Sequence, residues 1–202
     1  MRGTGLVLSR LDGSERVYGL PDGYKPLRSY SYRDFMYSVH DQGSRNSCVA
    51  ESIGAVIEWF WKTARRPAVF DVDALYSRRT TEGDLGMSFK EALASMVKDG
   101  YSHSGVVEHL YDYVMLRSRT LMEAFLVTDG PFIMGLPVFD SSKEDFWHGS
   151  VLEGYHAVVC SGFTPSGMEI LNSWGSSYGD HGYSEVSWDD AGLVQEAWGL
   201  KF

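Results

Sequence analysis

A cysteine does covalent chemistry as a thiolate, and two arrangements produce one near neutral pH: a helix N-terminus aimed at the sulfur, and a neighbouring imidazolium. The chain has two cysteines, Cys48 and Cys160. Cys48 opens a run in which Val49, Ile53, Val56, Ile57, Phe60, Trp61 and Ala64 recur at spacings of three and four until Pro67 stops it. That periodicity predicts a helix over 48–65 with Cys48 at its N-terminus, and Asn46 and Ser47 are residue types that cap a first turn by accepting from its free amides. The other reading of such a thiol is a small buried hydrophobe. Six histidines could supply an imidazole. His40, His103, His109, His148 and His181 show no metal-ligand spacing and read as structural or exposed. His156 begins the apolar run His156-Ala157-Val158-Val159-Cys160, a place that suits core packing as well as catalysis.

Placing a cysteine and a histidine so far apart in sequence at one point is the task of the surrounding elements. Further helices are expected at 71–79, at 88–98, where Ser88-Phe89-Lys90-Glu91 is a capping-box pattern and Gly100 marks the end, and at 118–126. Beyond Asp129-Gly130-Pro131 the texture changes: Phe132 to Phe139, His156 to Cys160 and Met168 to Asn172 read as strands separated by glycine-containing turns. The sixteen residues from His156 to Asn172 hold a strand, a turn at 164–167 and a returning strand. Near the start, Gly5 to Leu8 and Arg16 to Leu20 flank Asp12-Gly13, which predicts a β-hairpin within an extension over 1–25. Helices first and strands later predict an α+β protein whose two lobes leave a cleft, with Cys48 on one wall and His156 on the other.

Three segments then belong together. Asp41-Gln42-Gly43-Ser44-Arg45-Asn46-Ser47-Cys48-Val49-Ala50, Gly154-Tyr155-His156-Ala157-Val158-Val159 and Leu171-Asn172-Ser173-Trp174-Gly175, the last followed by Gly179-Asp180-His181-Gly182-Tyr183, resemble in order the nucleophile, histidine and asparagine blocks of papain-like cysteine peptidases. The resemblance runs roughly from Pro26 to Trp188. It implies a two-lobed papain-like fold over 26–202, with a mainly helical lobe over 26–128 and an antiparallel β-barrel-like lobe over 129–202. It also implies Cys48 as nucleophile, His156 as general base and acid, and Asn172 as the residue that orients the imidazole. Gln42 and the Cys48 amide would hold the oxyanion, where one such donor contributes about 3 kcal/mol. Trp174 would cover the histidine–asparagine bond from water and, with Gly86, Gly135 and Ala157, line the substrate cleft. No metal or organic cofactor is implied. The chain departs from the family at Val49, where an aromatic residue is usual, at Arg45, where secreted members have a disulfide-bonded cysteine, and at Tyr178, where a second tryptophan is common. None of these departures removes a proton-transfer or oxyanion group.

Composition narrows the remaining choices. Eighteen basic against 27 acidic residues, a formal charge of −9, repel phosphate backbones and anionic lipid, so the expected partner is a peptide or protein substrate and neither nucleic acid nor membrane. Two distant cysteines and an opening without a long apolar run suggest a reducing compartment, cytoplasmic or within a virion. The extension over 1–25 could plug the cleft, dock the domain onto a larger assembly, or extend the second lobe's sheet. A rival from another class is a non-catalytic papain-like module that serves as a structural or binding component of such an assembly. The same constellation could also act on an isopeptide, a cell-wall crosslink or a small amide, since pocket shape rather than nucleophile chemistry selects the bond.

Overall fold

The computed structural model describes residues 4–140 and 145–202. Its first long element is α1, Cys48–Thr63, whose apolar positions are buried along nearly its whole length. The helix is closed by a Schellman arrangement: Arg65 takes a left-handed φ of 59°, its N–H donates to the Lys62 carbonyl, and the Arg66 N–H donates to the Trp61 carbonyl. Two more helices follow. In α2, Val72–Tyr76, the Asp71 side chain caps Ala74, and α3, Phe89–Lys98, carries the expected capping box between Ser88 and Glu91. The fourth, α4, is Arg119–Thr128, capped by Ser118.

Strand β1 is Tyr30–Ser31, β2 Tyr101–His103, β3 Val106–Glu108, β4 Asp112–Met115, β5 Phe132–Phe139, β6 Leu152–Phe163, β7 Gly167–Leu171, β8 Tyr183–Ser187 and β9 Glu196–Lys201. Among the described residues the main sheet is antiparallel in the order β4-β9-β5-β6-β7-β8, with β1 on the far end of β6, and β2 with β3 forms a separate ribbon. The expected barrel-like closure is not found: the path is open, and no pairing joins β4 to β8. In its central strands successive side chains face opposite cores. Ile133, Ala157 and Val159 pack with α1, whereas Met134, Leu136, Val158 and Cys160 pack with Phe125, Ile170 and Trp174. A strand buried on both faces loses the polar-apolar alternation, which is why β5 reads as a continuous apolar run.

The fold is α+β with two lobes, and two boundaries differ from expectation. Met122, Phe125 and Leu126 of α4 belong to the second core, and Trp198 and Leu200 of β9 belong to the first, so the packing does not divide at residue 128. The hairpin expected near the N-terminus is not formed. Its two apolar runs meet distant parts of the chain instead of each other: Leu6 bridges Met87 and Val17 bridges Met115, both in parallel. Asp12-Gly13 makes a local turn in which the Asp12 carboxylate accepts from the Ser14 N–H, but burial of Leu6 outweighs the hairpin preference of the turn.

Candidate active site

Helix α1 delivers Cys48 as its first residue, fully buried. The expected side-chain caps are absent. Ser47 is the N-cap, but its hydroxyl donates to Glu51 Oε1 at 3.0 Å, and the Asn46 side-chain amide donates to the Asp84 carbonyl. Strand β6 delivers His156 opposite Leu136 of β5, and the turn in which the Thr164 N–H donates to the Gly167 carbonyl returns the chain along β7 to Asn172. The Asn172 N–H is held by the Gly182 carbonyl at 2.9 Å.

The expected histidine–asparagine contact is formed: His156 Nε2 donates to Asn172 Oδ1 at 2.8 Å. With the proton on Nε2, the neutral ring presents a lone pair at Nδ1. That nitrogen is buried and has no hydrogen-bond partner among the described residues. Trp174 stacks on the imidazole with centroids 4.5 Å apart and 28° between planes, and Phe146 meets its edge at 5.5 Å. The bond is therefore walled off from water by aromatic surface.

Burial pushes the Cys48 thiol up to about 12, against the opposing pull of the Ala157, Val49 and Gly5 backbone amides. It pushes His156 down to about 4, against the Asn172 hydrogen bond. Both effects have one origin, the cost of a charge in a dry site. The pair as it stands is a neutral thiol and a neutral imidazole.

What dries the site is the chain's own N-terminal segment. The Gly5 and Leu6 N–H groups both donate to the Tyr155 carbonyl, at 3.2 and 3.1 Å, the Val7 N–H donates to the Met87 carbonyl at 3.1 Å, and the Met87 N–H donates to the Gly5 carbonyl at 3.0 Å. The Leu6 side chain is 5% exposed and lies against Gly135, where a Cβ would come within 2.3 Å of Leu6 Cδ2. A Cβ on Gly86, whose φ is +87°, would lie 1.9 Å from the Gly5 oxygen. Downstream, the Ser9 N–H donates to Glu196 Oε1 at 2.9 Å and Glu15 pairs with Lys90 at 2.7 Å. Gly86 and Gly135 thus both lie against residues 5–7, and Ala157 is the β6 residue opposite Gly135. The sequence allowed the extension over 1–25 to plug the cleft but did not single out Gly5 and Leu6; a leucine after a glycine offers no local sign of a partner such as Met87, 81 residues on in the chain.

Gln42 ties the two sides of the site together. Its backbone N–H donates to the Ser173 carbonyl at 2.9 Å, its Oε1 accepts from the Ser173 hydroxyl at 2.6 Å, and its Nε2 donates to the Arg45 carbonyl at 2.6 Å. Behind α1 lies a group whose importance the sequence did not signal. His40 stands between two carboxylates, Nδ1 on Glu51 Oε2 at 2.8 Å and Nε2 on Glu58 Oε2 at 3.0 Å. Burial alone would lower its pKa, but the two carboxylates outweigh that and raise it to about 9, so His40 is a cation near neutral pH. Both cysteines are buried free thiols. Among the described residues no cluster of three or more His, Cys, Asp or Glu side chains is placed to hold a metal ion, and no helix is long and apolar enough to cross a membrane.

No family model matches the sequence, and no curated protein matches it. Solved structures of papain-like cysteine proteases do match the fold. Xylellain, a cysteine protease from Xylella fastidiosa, superposes with a TM-score of 0.82 at 18% identity, covering 99% of this chain and 96% of that one. Procathepsin B S9 from Trypanosoma congolense gives 0.80 at 14% identity over 99% and 86% of the two chains. Digestive procathepsin L2 from the Tenebrio molitor larval midgut gives 0.76 at 19% identity over 100% and 78%. The chain has a papain-like fold.

Proposed function

We propose that the chain is a cysteine peptidase that hydrolyses peptide bonds and is held latent by its own residues 5–7. The observation that carries this reading is the His156 Nε2 to Asn172 Oδ1 bond, which leaves Nδ1 as the basic nitrogen, one residue before Ala157, whose backbone pulls the Cys48 thiol pKa down. With the groove open, water re-enters and an ion pair of thiolate and imidazolium becomes affordable. The Cys48 sulfur attacks the carbonyl carbon of the scissile bond, and the carbonyl electron pair moves onto oxygen. The Cys48 amide, with the Gln42 side-chain amide turned from Arg45 toward it, stabilises that oxyanion. The imidazolium protonates the departing amine, the C–N bond breaks, and a thioester remains. A water deprotonated by His156 attacks the thioester, releasing the acid and restoring the thiol.

Residues 5–7 block rather than serve this chemistry. Their Gly5 and Leu6 amides are spent on the Tyr155 carbonyl, and the Gly5 carbonyl is held by the Met87 amide. A carbonyl carbon aimed elsewhere is not an electrophile for Cys48. The groove these residues fill, narrow at Gly86 and roomy at Gly135, suits an extended peptide with an apolar side chain like that of Leu6.

The test is alkylation of Cys48 by iodoacetamide across pH 4 to 9 in the full chain and in Leu6→Glu, with hydrolysis of a peptide library alongside and Cys160 as internal reference. Faster Cys48 labelling and hydrolysis in Leu6→Glu, both lost in Cys48→Ala or His156→Ala, are expected. A Leu6→Glu protein whose Cys48 reacts no faster than Cys160 and cleaves nothing would leave a non-catalytic module as the better reading.

A further inference from the structure

The charged group behind α1 and the histidine–asparagine pair meet at one small cavity. Its lining includes His40, Glu51, Ser52, Ala55, Asn172 and Ser173, and its size suits about one water molecule. Asn172 is 1% exposed and spends its Oδ1 on His156, while its Nδ2 is buried without a hydrogen-bond partner among the described residues. A buried amide nitrogen is a donor, so what it needs is an acceptor, and leaving it unmade is costly. Of the side chains lining the cavity, the Glu51 carboxylate is the strongest acceptor. It takes one hydrogen bond from Ser47 and one from His40, which leaves lone pairs over.

We infer that Glu51 is a positioning residue for the Cys48–His156 pair, holding the Asn172 side-chain amide through one bridging water so that its oxygen stays on His156. The inference rests on the peptidase reading. The amide of an asparagine is nearly symmetric in shape, and a flip would set its NH2 group against the His156 Nε2–H, donor against donor. An acceptor on the far side decides the orientation. Glu51 is in turn fixed by Ser47 and by His40, whose other nitrogen is anchored on Glu58. Glu58 also accepts from the Ser38 hydroxyl and the Phe70 N–H. With His40 protonated between two carboxylates, this group keeps one net negative charge on the Asn172 side of the imidazole. Such a charge favours His156 as imidazolium.

A purely electrostatic Glu51 predicts the opposite effect on the thiol, because its charge raises the Cys48 pKa. Removing that charge alone would speed alkylation of Cys48; losing the orientation of Asn172 slows it. The experiment is a double-mutant cycle in the full chain with Glu51→Gln, Asn172→Ala and both together. It reads the iodoacetamide rate at Cys48 near pH 7 and the hydrogen-exchange rate of the His156 Nε2 proton by NMR, with thermal unfolding as control. The expected result is a loss of about tenfold in alkylation rate and a comparable gain in proton exchange for Glu51→Gln, with no further change when Asn172→Ala is added. Ala55→Val, which fills the cavity and leaves Glu51 in place, should reproduce the loss and covers the case in which Glu51→Gln does not fold. Faster alkylation in Glu51→Gln, additive effects in the double variant, or an Ala55→Val protein that behaves as wild type would each overturn the inference. The proton-exchange readout needs no substrate, so a Leu6→Glu chain that cleaves no peptide while its His156 proton still answers to Glu51 would sink the peptidase reading and leave the link standing.

Discussion

The amide of Gly5 donates to the Tyr155 carbonyl at 3.2 Å, and the carbonyl of the same residue accepts from the Met87 amide at 3.0 Å. One residue therefore bridges Tyr155 and Met87 across the groove, with its own carbonyl already engaged. Leu6 anchors this arrangement. Full burial of a leucine side chain contributes roughly 1.5–3 kcal/mol, so placing a charge there should shift the covered and uncovered populations by about tenfold to a hundredfold. We expect Leu6→Glu to raise the Cys48 alkylation rate by that factor, measured by mass spectrometry of the two cysteine peptides, while Leu6→Met stays near wild type.

Gly135 separates latency from substrate binding. A methyl group there would come within 2.3 Å of Leu6 Cδ2, the movable end of a side chain. Gly135→Ala should therefore loosen residues 5–7 and raise alkylation of Cys48, yet narrow the same pocket for substrate. In steady-state kinetics KM is expected to rise while kcat changes little, and Leu6→Ala in the same chain should restore part of the cover.

Asn172 is expected to act on kcat. Without its oxygen the imidazole can turn under Trp174, and a misplaced base of this kind costs on the order of 10²-fold. Asn172→Ala should lower kcat/KM by that order through kcat. Cys48→Ala should abolish hydrolysis without lowering thermal stability by more than about 2 kcal/mol, since a small buried side chain is lost. Equal kcat in Asn172→Ala and wild type would exclude the orienting role.

Two histidines, His156 fully buried and His40 partly so, set opposite limbs of the stability profile. His156 has a folded pKa near 4, below its ordinary 6.5, so the folded state binds fewer protons than the unfolded chain between those values and stability falls as pH drops from about 6.5 to 4. His40 has a folded pKa near 9, above 6.5; its contribution is complete below pH 6.5 and is lost as pH rises through about 9. Stability in urea should peak between these limbs, near pH 6.5, with each limb worth a few kcal/mol at most. His40→Gln should flatten the alkaline limb and leave the acid one.

The elements that carry Cys48, His156 and Asn172 were legible because each is specified locally. The period of α1, the capping box of α3 and the turn at 164–167 are all short-range signals, and the spacing from His156 to Asn172 leaves room for one hairpin only. What was not legible depends on contacts between remote parts of the chain. Asp12-Gly13 favours a turn, yet whether its flanks pair with each other or with Met87 and Met115 is decided by where Leu6 finds a pocket. Ser47 has the composition of a cap, yet Glu51 one turn on offers its hydroxyl a stronger acceptor than the helix amides offer as donors. The openness of the sheet likewise depends on β4 and β8, which pair with β9 and β7 but not with each other. The expected activation of Cys48 by its helix was correct about position and silent about burial, which reverses the direction of the pKa shift.

Because residues 5–7 belong to the same molecule as the groove they occupy, dilution cannot remove them. A tethered occupant meets its site at an effective concentration on the order of millimolar, whatever the concentration of the protein. Weak individual contacts suffice for closure, and a segment that offers no carbonyl to the nucleophile is not consumed by it. Closing is then repeatable: on the latency reading, any ligand that captures the released segment turns activity on for as long as it stays bound, and its departure turns activity off.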